Sequence, residues 1–225
     1  MAQKRRRYPQ ESQGSNPQKI ITRVEREFRK QLDKIQSNFI PYTRKAFGFL
    51  PKLGKPQIVS AGCHHEPTLT ELAQVTGGRV VSLDQVTGYG QFDIAWLDQT
   101  LIQAGFVPAM MAMKKWLKPG GFAVIHDIAL ATAEKVMLIK RCGFSLRHQF
   151  ALDQQKWHHL HDAPVRQLIT DAKARLRTRA ARSRLIESTE RALETIQIQK
   201  GTDRSVYYVV QLDSAAPPTM KGSSS

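Results

Sequence analysis

Asp84, Asp98 and the pair His126-Asp127 are the side chains best suited to chemistry, because each directly follows a short apolar run. Val80-Val81-Ser82-Leu83 precedes Asp84, Phe92-Asp93-Ile94-Ala95-Trp96-Leu97 precedes Asp98, and Phe122-Ala123-Val124-Ile125 precedes His126. Such runs read as buried strands. A carboxylate at a strand end can accept hydrogen bonds from hydroxyl groups, and a histidine beside an aspartate can serve as a general base. Capped turns and solvated strand ends use the same residues, so each position keeps an ordinary alternative. A further run, Gln57-Ile58-Val59-Ser60-Ala61, stops at Gly62 and leads into Cys63-His64-His65-Glu66. Gly62 would let backbone pass close to a ligand there.

The elements that must position these groups alternate strand and helix. Strands are expected at 57–61, 79–83, 92–97, 122–126 and 144–150, with helices at about 68–75, 107–117 and 131–142. Leu117-Lys118-Pro119-Gly120-Gly121 reads as a tight turn, and Val206-Tyr207-Tyr208-Val209-Val210-Gln211-Leu212 as an isolated strand. This order is that of an α/β protein with ligands beyond the strand ends. Ile20, Val24, Phe28, Leu32, Ile35 and Phe39 recur at helical spacing, with Pro41 expected to end that helix. Residues 163–197 read as a long helical insertion. The domain reading is a disordered basic tail at 1–18, a basic amphipathic helix and linker at 19–54, an α/β domain at 55–213 with insertion 156–200, and a disordered tail at 214–225.

The net charge of +15 is unevenly spread. Residues 1–55 hold 14 Lys/Arg against 4 Asp/Glu, and residues 156–200 hold 10 against 5, whereas residues 56–155 balance at 8 against 8. A near-neutral domain with basic flanks suits a polyanion, RNA or a ribonucleoprotein, through Lys4, Arg5, Arg6, Arg7, Arg175, Arg177, Arg179, Arg182 and Arg184. The alternative is docking on an acidic protein. Two cysteines without a CxxC pair, no bilayer-length apolar run and no hydrophobic signal segment lead to the expectation of a soluble cytoplasmic protein without a membrane partner. The histidine clusters Cys63-His64-His65-Glu66 and His158-His159-Leu160-His161-Asp162 lack structural-zinc spacing, and no metal is expected. The second lies over the ligand edge of the sheet or packs the start of the insertion.

Taken together, Ser60-Ala61-Gly62-Cys63, Phe92 to Asp98 and Leu117 to Asp127 resemble the class I S-adenosylmethionine-dependent methyltransferases. The resemblance implies a Rossmann-like sheet with S-adenosylmethionine as cofactor. It places Ser60, Gly62, Cys63 and His64 at the methionine turn, Asp84 on the ribose hydroxyls, Asp98 and Gln99 at the shared cofactor and substrate edge, and Asp98 with His126 as catalytic candidates. His64 and Glu66 stand where the family has further glycines, and no Asn/Asp-Pro-Pro-Tyr sequence is present. Only residues 85–91 separate Asp84 from the Phe92 strand, too few for a helical crossover of about a dozen residues. Either the sheet lacks an edge strand with its adenine-covering loop, or 79–83 and 92–97 form a hairpin around Gly88-Tyr89-Gly90. Two functions follow: an active methyltransferase of unknown substrate, or an inactive relative serving as an RNA-binding or assembly subunit.

Overall fold

The computed structural model describes residues 17–61, 66–98, 105–129, 131–176, 183–197 and 203–214. Its first helix, α1, spans Pro17–Gln36 and is followed by a 3₁₀ turn at Ser37–Phe39 and by α2 at Ile40–Phe47. Pro41 therefore opens a helix rather than ending one, because its missing N–H costs nothing in a first turn. The α/β part continues as β1 (Gln57–Ala61), α3 (Glu66–Thr76), β2 (Arg79–Ser82), β3 (Phe92–Leu97), α4 (Phe106–Trp116), β4 (Leu117–Ile128), α5 (Thr132–Arg141) and β5 (Phe144–Asp153). A short α6 (Gln154–Trp157), a π-turn (His158–Asp162), α7 (Ala163–Arg175) and α8 (Arg184–Gln197) precede β6 (Asp203–Leu212). The insertion is thus broken near its arginine run. Arg175 ends α7 and Arg184 begins α8, both exposed, while Arg177, Arg179 and Arg182 lie outside the described residues, as do Lys4 to Arg7.

One mixed sheet carries the order β2-β1-β3-β4-β6-β5. The first four strands run parallel, and β6 lies antiparallel between β4 and β5. β2 and β3 flank β1, so no hairpin joins them and β2 is the edge. The link between them has to return along a strand and pass β1, about 20 Å in all, which residues 86–91 cover when extended after a 3₁₀ turn at Leu83–Gln85. It runs past the end of α4, where Gly90 and Gln91 donate to the carbonyls of Lys115 and Trp116. The Leu117–Gly121 segment extends β4 instead of turning, with Gly120 at φ 76° absorbing the irregularity.

Buried side chains fill both faces. Val59, Leu97, Met110, Met113, Ile125, Phe144 and Tyr208 pack beneath α4 and α5, while Phe47, Ile58, Leu72, Trp96, Val124, Trp157 and Tyr207 pack beneath α2 and α3. A separate three-helix unit joins α1 to α7 and α8 through Val24, Phe28, Val165, Ile169, Ile186 and Leu193. The apolar stripe of α1 is consumed there and not on the sheet. Among the described residues no helix is long and apolar enough to cross a membrane.

Candidate functional site

Parallel strands place all their C-terminal ends on one edge, so the ends of β1, β2, β3 and β4 bring Ser60, Asp84, Asp98 and His126 into one row. Asp98 is tied to the end of β1 by its N–H, which donates to the Ala61 carbonyl at 3.1 Å. Gly62, Cys63, His64 and Gln99 lie outside the described residues. Ser60 sits inside the strand, 1% exposed, on the face that carries Trp96. Asp84 falls in a 3₁₀ turn after β2 and is exposed.

Successive strand residues point to opposite faces, which separates His126 from its neighbour Asp127. Asp127 is fully buried on the α5 side, with Lys135 Nζ 2.6 Å from Oδ2 and the Ile128 N–H donating to Oδ1 at 2.5 Å. Burial pushes its carboxyl above the usual carboxylate range, and the Lys135 ammonium opposes that rise. The partner of His126 is instead Asp98, whose Oδ1 lies 3.1 Å from Nδ1. The second ring nitrogen, Nε2, lies 2.7 Å from Ser205 Oγ on β6. Ser205 is 0% exposed and His126 3%, but the Asp98 side chain is 27% exposed. The three form a polar chain running from the sheet interior to the open edge. A neutral His126 that donates from Nδ1 to Asp98 accepts at Nε2 from the Ser205 hydroxyl, and a protonated one donates at both nitrogens.

Aromatic groups roof this chain. Tyr207 stacks on the His126 ring at 4.2 Å between centroids, and Phe39 lies 5.5 Å away on another side. Phe39 also touches Trp157 at 5.4 Å and His161 at 5.9 Å, and the last two are 4.5 Å apart. The insertion and the Ser37–Phe39 turn thus meet over the ligand edge, so the second histidine cluster both covers the edge and starts the insertion. His161 is held well below its ordinary value, to about 4, chiefly by burial; the charge of His126 adds to this, and those of Asp162 and Asp98 oppose it. His161 Nδ1 and Trp157 Nε1 are sealed from solvent with no hydrogen-bond partner among the described residues. Among those residues no cluster of three or more His, Cys, Asp or Glu could hold a metal.

Ser205 could not be found in the sequence, because the polar Asp203-Arg204-Ser205 looks like loop ahead of the Val206 run. His161 was visible only as one of a cluster. What singles it out is its tertiary contact with Phe39, a residue 122 positions earlier.

No family model matches the sequence, and no curated protein matches it. Solved structures do match in fold. The [4+2]-cyclase SpnF is similar with a TM-score of 0.58 and 12% identity, covering 78% of this chain and 81% of that one. The cyclopropane synthase MmaA2 from Mycobacterium tuberculosis is similar with a TM-score of 0.55 and 13% identity, covering 76% and 83%. Phosphoethanolamine N-methyltransferase 2 from Haemonchus contortus, solved with phosphomonomethylethanolamine and S-adenosylhomocysteine, has a TM-score of 0.50 and 12% identity over 77% of this chain and 53% of that one. These identities bear on fold alone, and a cyclase among the similar structures shows that the fold leaves the reaction open. The strand order, the parallel edge and these likenesses together give this chain the fold of the class I S-adenosylmethionine-dependent methyltransferases.

Proposed function

We propose that the chain binds S-adenosylmethionine along the C-terminal ends of β1, β2 and β3, and that an acceptor held at Asp98 is methylated there. The observation that carries this reading is the Asp98–His126–Ser205 chain, which sits at the ligand edge under an aromatic roof. Burying the side chains of His126 and Ser205 is costly unless each is satisfied, and a domain kept only for its shape gains nothing from them. The residues present also suit the cofactor: Asp84 is an exposed carboxylate following β2, which pairs with β1, and a carboxylate there could accept from two ribose hydroxyls. When bound, the cofactor supplies an activated methyl group, so the protein's task is positioning.

Asp98 is the member of the chain that solvent reaches, and it is the group offered to an acceptor. Its carboxylate accepts a hydrogen bond from an acceptor N–H or O–H and can take that proton as the methyl group arrives. His126, anchored by Ser205 and stacked on Tyr207, holds Asp98 in that orientation. Water is excluded by Phe39 and Trp157, both nearly buried.

Titration calorimetry with S-adenosylmethionine tests the reading. Binding is expected, weakened at least about tenfold, or ~1.4 kcal/mol, by Asp84→Ala. Asp98→Asn is expected to keep binding and to lose methyl transfer. A protein that binds no S-adenosylmethionine would leave the inactive RNA-binding or assembly subunit as the better account, a role that the short β2–β3 link favours.

A further inference from the structure

The exposed side of α1 carries a charge pattern that methyl transfer does not require. Lys19, Arg23, Arg26, Lys30 and Lys34 are all exposed and follow one another at intervals of four, three, four and four residues. At 3.6 residues per turn they fall within about 80° of helix arc, and the 15 steps from Lys19 to Lys34 rise about 22 Å. None of the five takes part in an ion pair or hydrogen bond among the described residues. By contrast, Lys173 is paired with Glu190 and Arg166 with Asp162 on the neighbouring helix. Glu27 and Asp33 flank the row, and Glu27 is engaged by Gln31. The other side of α1 is fixed against α7 and α8 through Val24 and Phe28.

We propose that this row is a docking surface for the phosphodiester backbone of a nucleic acid. A straight line of uncompensated cations matches a chain of regularly spaced negative charges, and binding is driven by release of counterions. The neighbouring chemistry disfavours other anionic partners. A membrane-surface helix needs its apolar side free to enter the lipid, and that side of α1 is buried in the three-helix unit. A protein interface centres on apolar or aromatic anchors, and the exposed large hydrophobics of the described residues, such as Tyr89 and Met137, all lie outside α1. The proposal does not rest on methyl transfer, since the row belongs to the helical unit and not to the Asp98 edge.

The test is fluorescence anisotropy of the full chain with a labelled 20-nucleotide unstructured RNA across a salt series, with single-stranded and duplex DNA as further arms. Arg23→Gln/Arg26→Gln/Lys30→Gln is expected to lower affinity at least tenfold and to reduce the slope of log K against log salt by about 2, from roughly 0.7 per phosphate contact. Lys52→Gln/Lys55→Gln/Lys140→Gln removes the same charge elsewhere and is expected to leave the slope nearly unchanged. Circular dichroism checks that both variants fold, and S-adenosylmethionine binding by both is expected to equal that of the parent. The proposal is overturned if the two triple variants lose affinity equally, or if the α1 variant binds as tightly as the parent. It is also overturned if phosphatidylserine vesicles or poly-glutamate bind α1 as strongly as the nucleic acids do. Equal loss for RNA and DNA assigns the backbone alone, whereas loss confined to RNA assigns the ribonucleic form.

Discussion

Replacing His161 by phenylalanine should remove a large part of the protein's sensitivity to mild acid. In the folded chain this imidazole takes a proton only near pH 4, whereas in the unfolded chain it does so near its ordinary 6.5. Between those values the unfolded state binds the extra proton, so stability falls as pH drops from 6.5 towards 4 and is unaffected above 6.5. The interval corresponds to a loss of about 2 kcal/mol by pH 5 and about 3 kcal/mol by pH 4. Phenylalanine keeps the ring contacts with Trp157 and Phe39 but cannot titrate. Urea unfolding of parent and variant at pH 7.5, 5 and 4 reads the difference, because carboxylates such as Asp93 and Asp153 contribute equally to both. The stability of His161→Phe relative to the parent should rise by about 2 and then about 3 kcal/mol. Curves that stay parallel within about 0.5 kcal/mol would refute the burial of a neutral His161.

Ser205→Ala removes the hydroxyl 2.7 Å from His126 Nε2 and should cost about 1–3 kcal/mol, with S-adenosylmethionine binding unchanged and methyl transfer slowed. Thermal unfolding and the methyl-transfer rate at saturating cofactor check both parts; an unchanged rate would mean that Ser205 serves packing only. Lys135→Met strands the Asp127 carboxylate, 0% exposed, and should destabilise by about 3–5 kcal/mol, with Asp127→Leu added on top recovering much of the loss. Denaturant midpoints of the single and double variants measure this, and a double variant no better than the single one would argue against the ion pair as the cause.

Apolar runs and their spacing were enough to place β1 and β3, since Gln57–Ala61 and Phe92–Leu97 match the expected strands. Residue counting from Asp84 to Phe92 showed that something was missing, but the choice between hairpin and lost edge needed the sheet order. Local signals misled where tertiary context changed their meaning. Pro41 reads as a helix stop but starts α2, and the Pro-Gly-Gly of 119–121 is carried inside β4 as an irregularity, the pairing with β3 passing from Phe92–Leu117 to Ile94–Phe122. At the site, adjacency suggested His126 with Asp127, whereas the pleat sends them to opposite faces and gives His126 a partner 28 residues away. Ser205 lies 79 positions from the ring it touches, and no sequence spacing encodes that meeting.

The place of β6 has a consequence for biosynthesis. Its residues 205–210 are all buried, and it fills the gap between β4 and β5, both of which precede it in the chain. Until residues 203–212 have left the ribosome, those two strands face each other with unpaired edges, and the nascent chain exposes a slot that other strands could enter. The same late strand brings Ser205, so His126 gains its anchor only when the sheet closes. Folding and completion of the candidate site are one event, and a stalled or clipped chain should be both chaperone-dependent and inert.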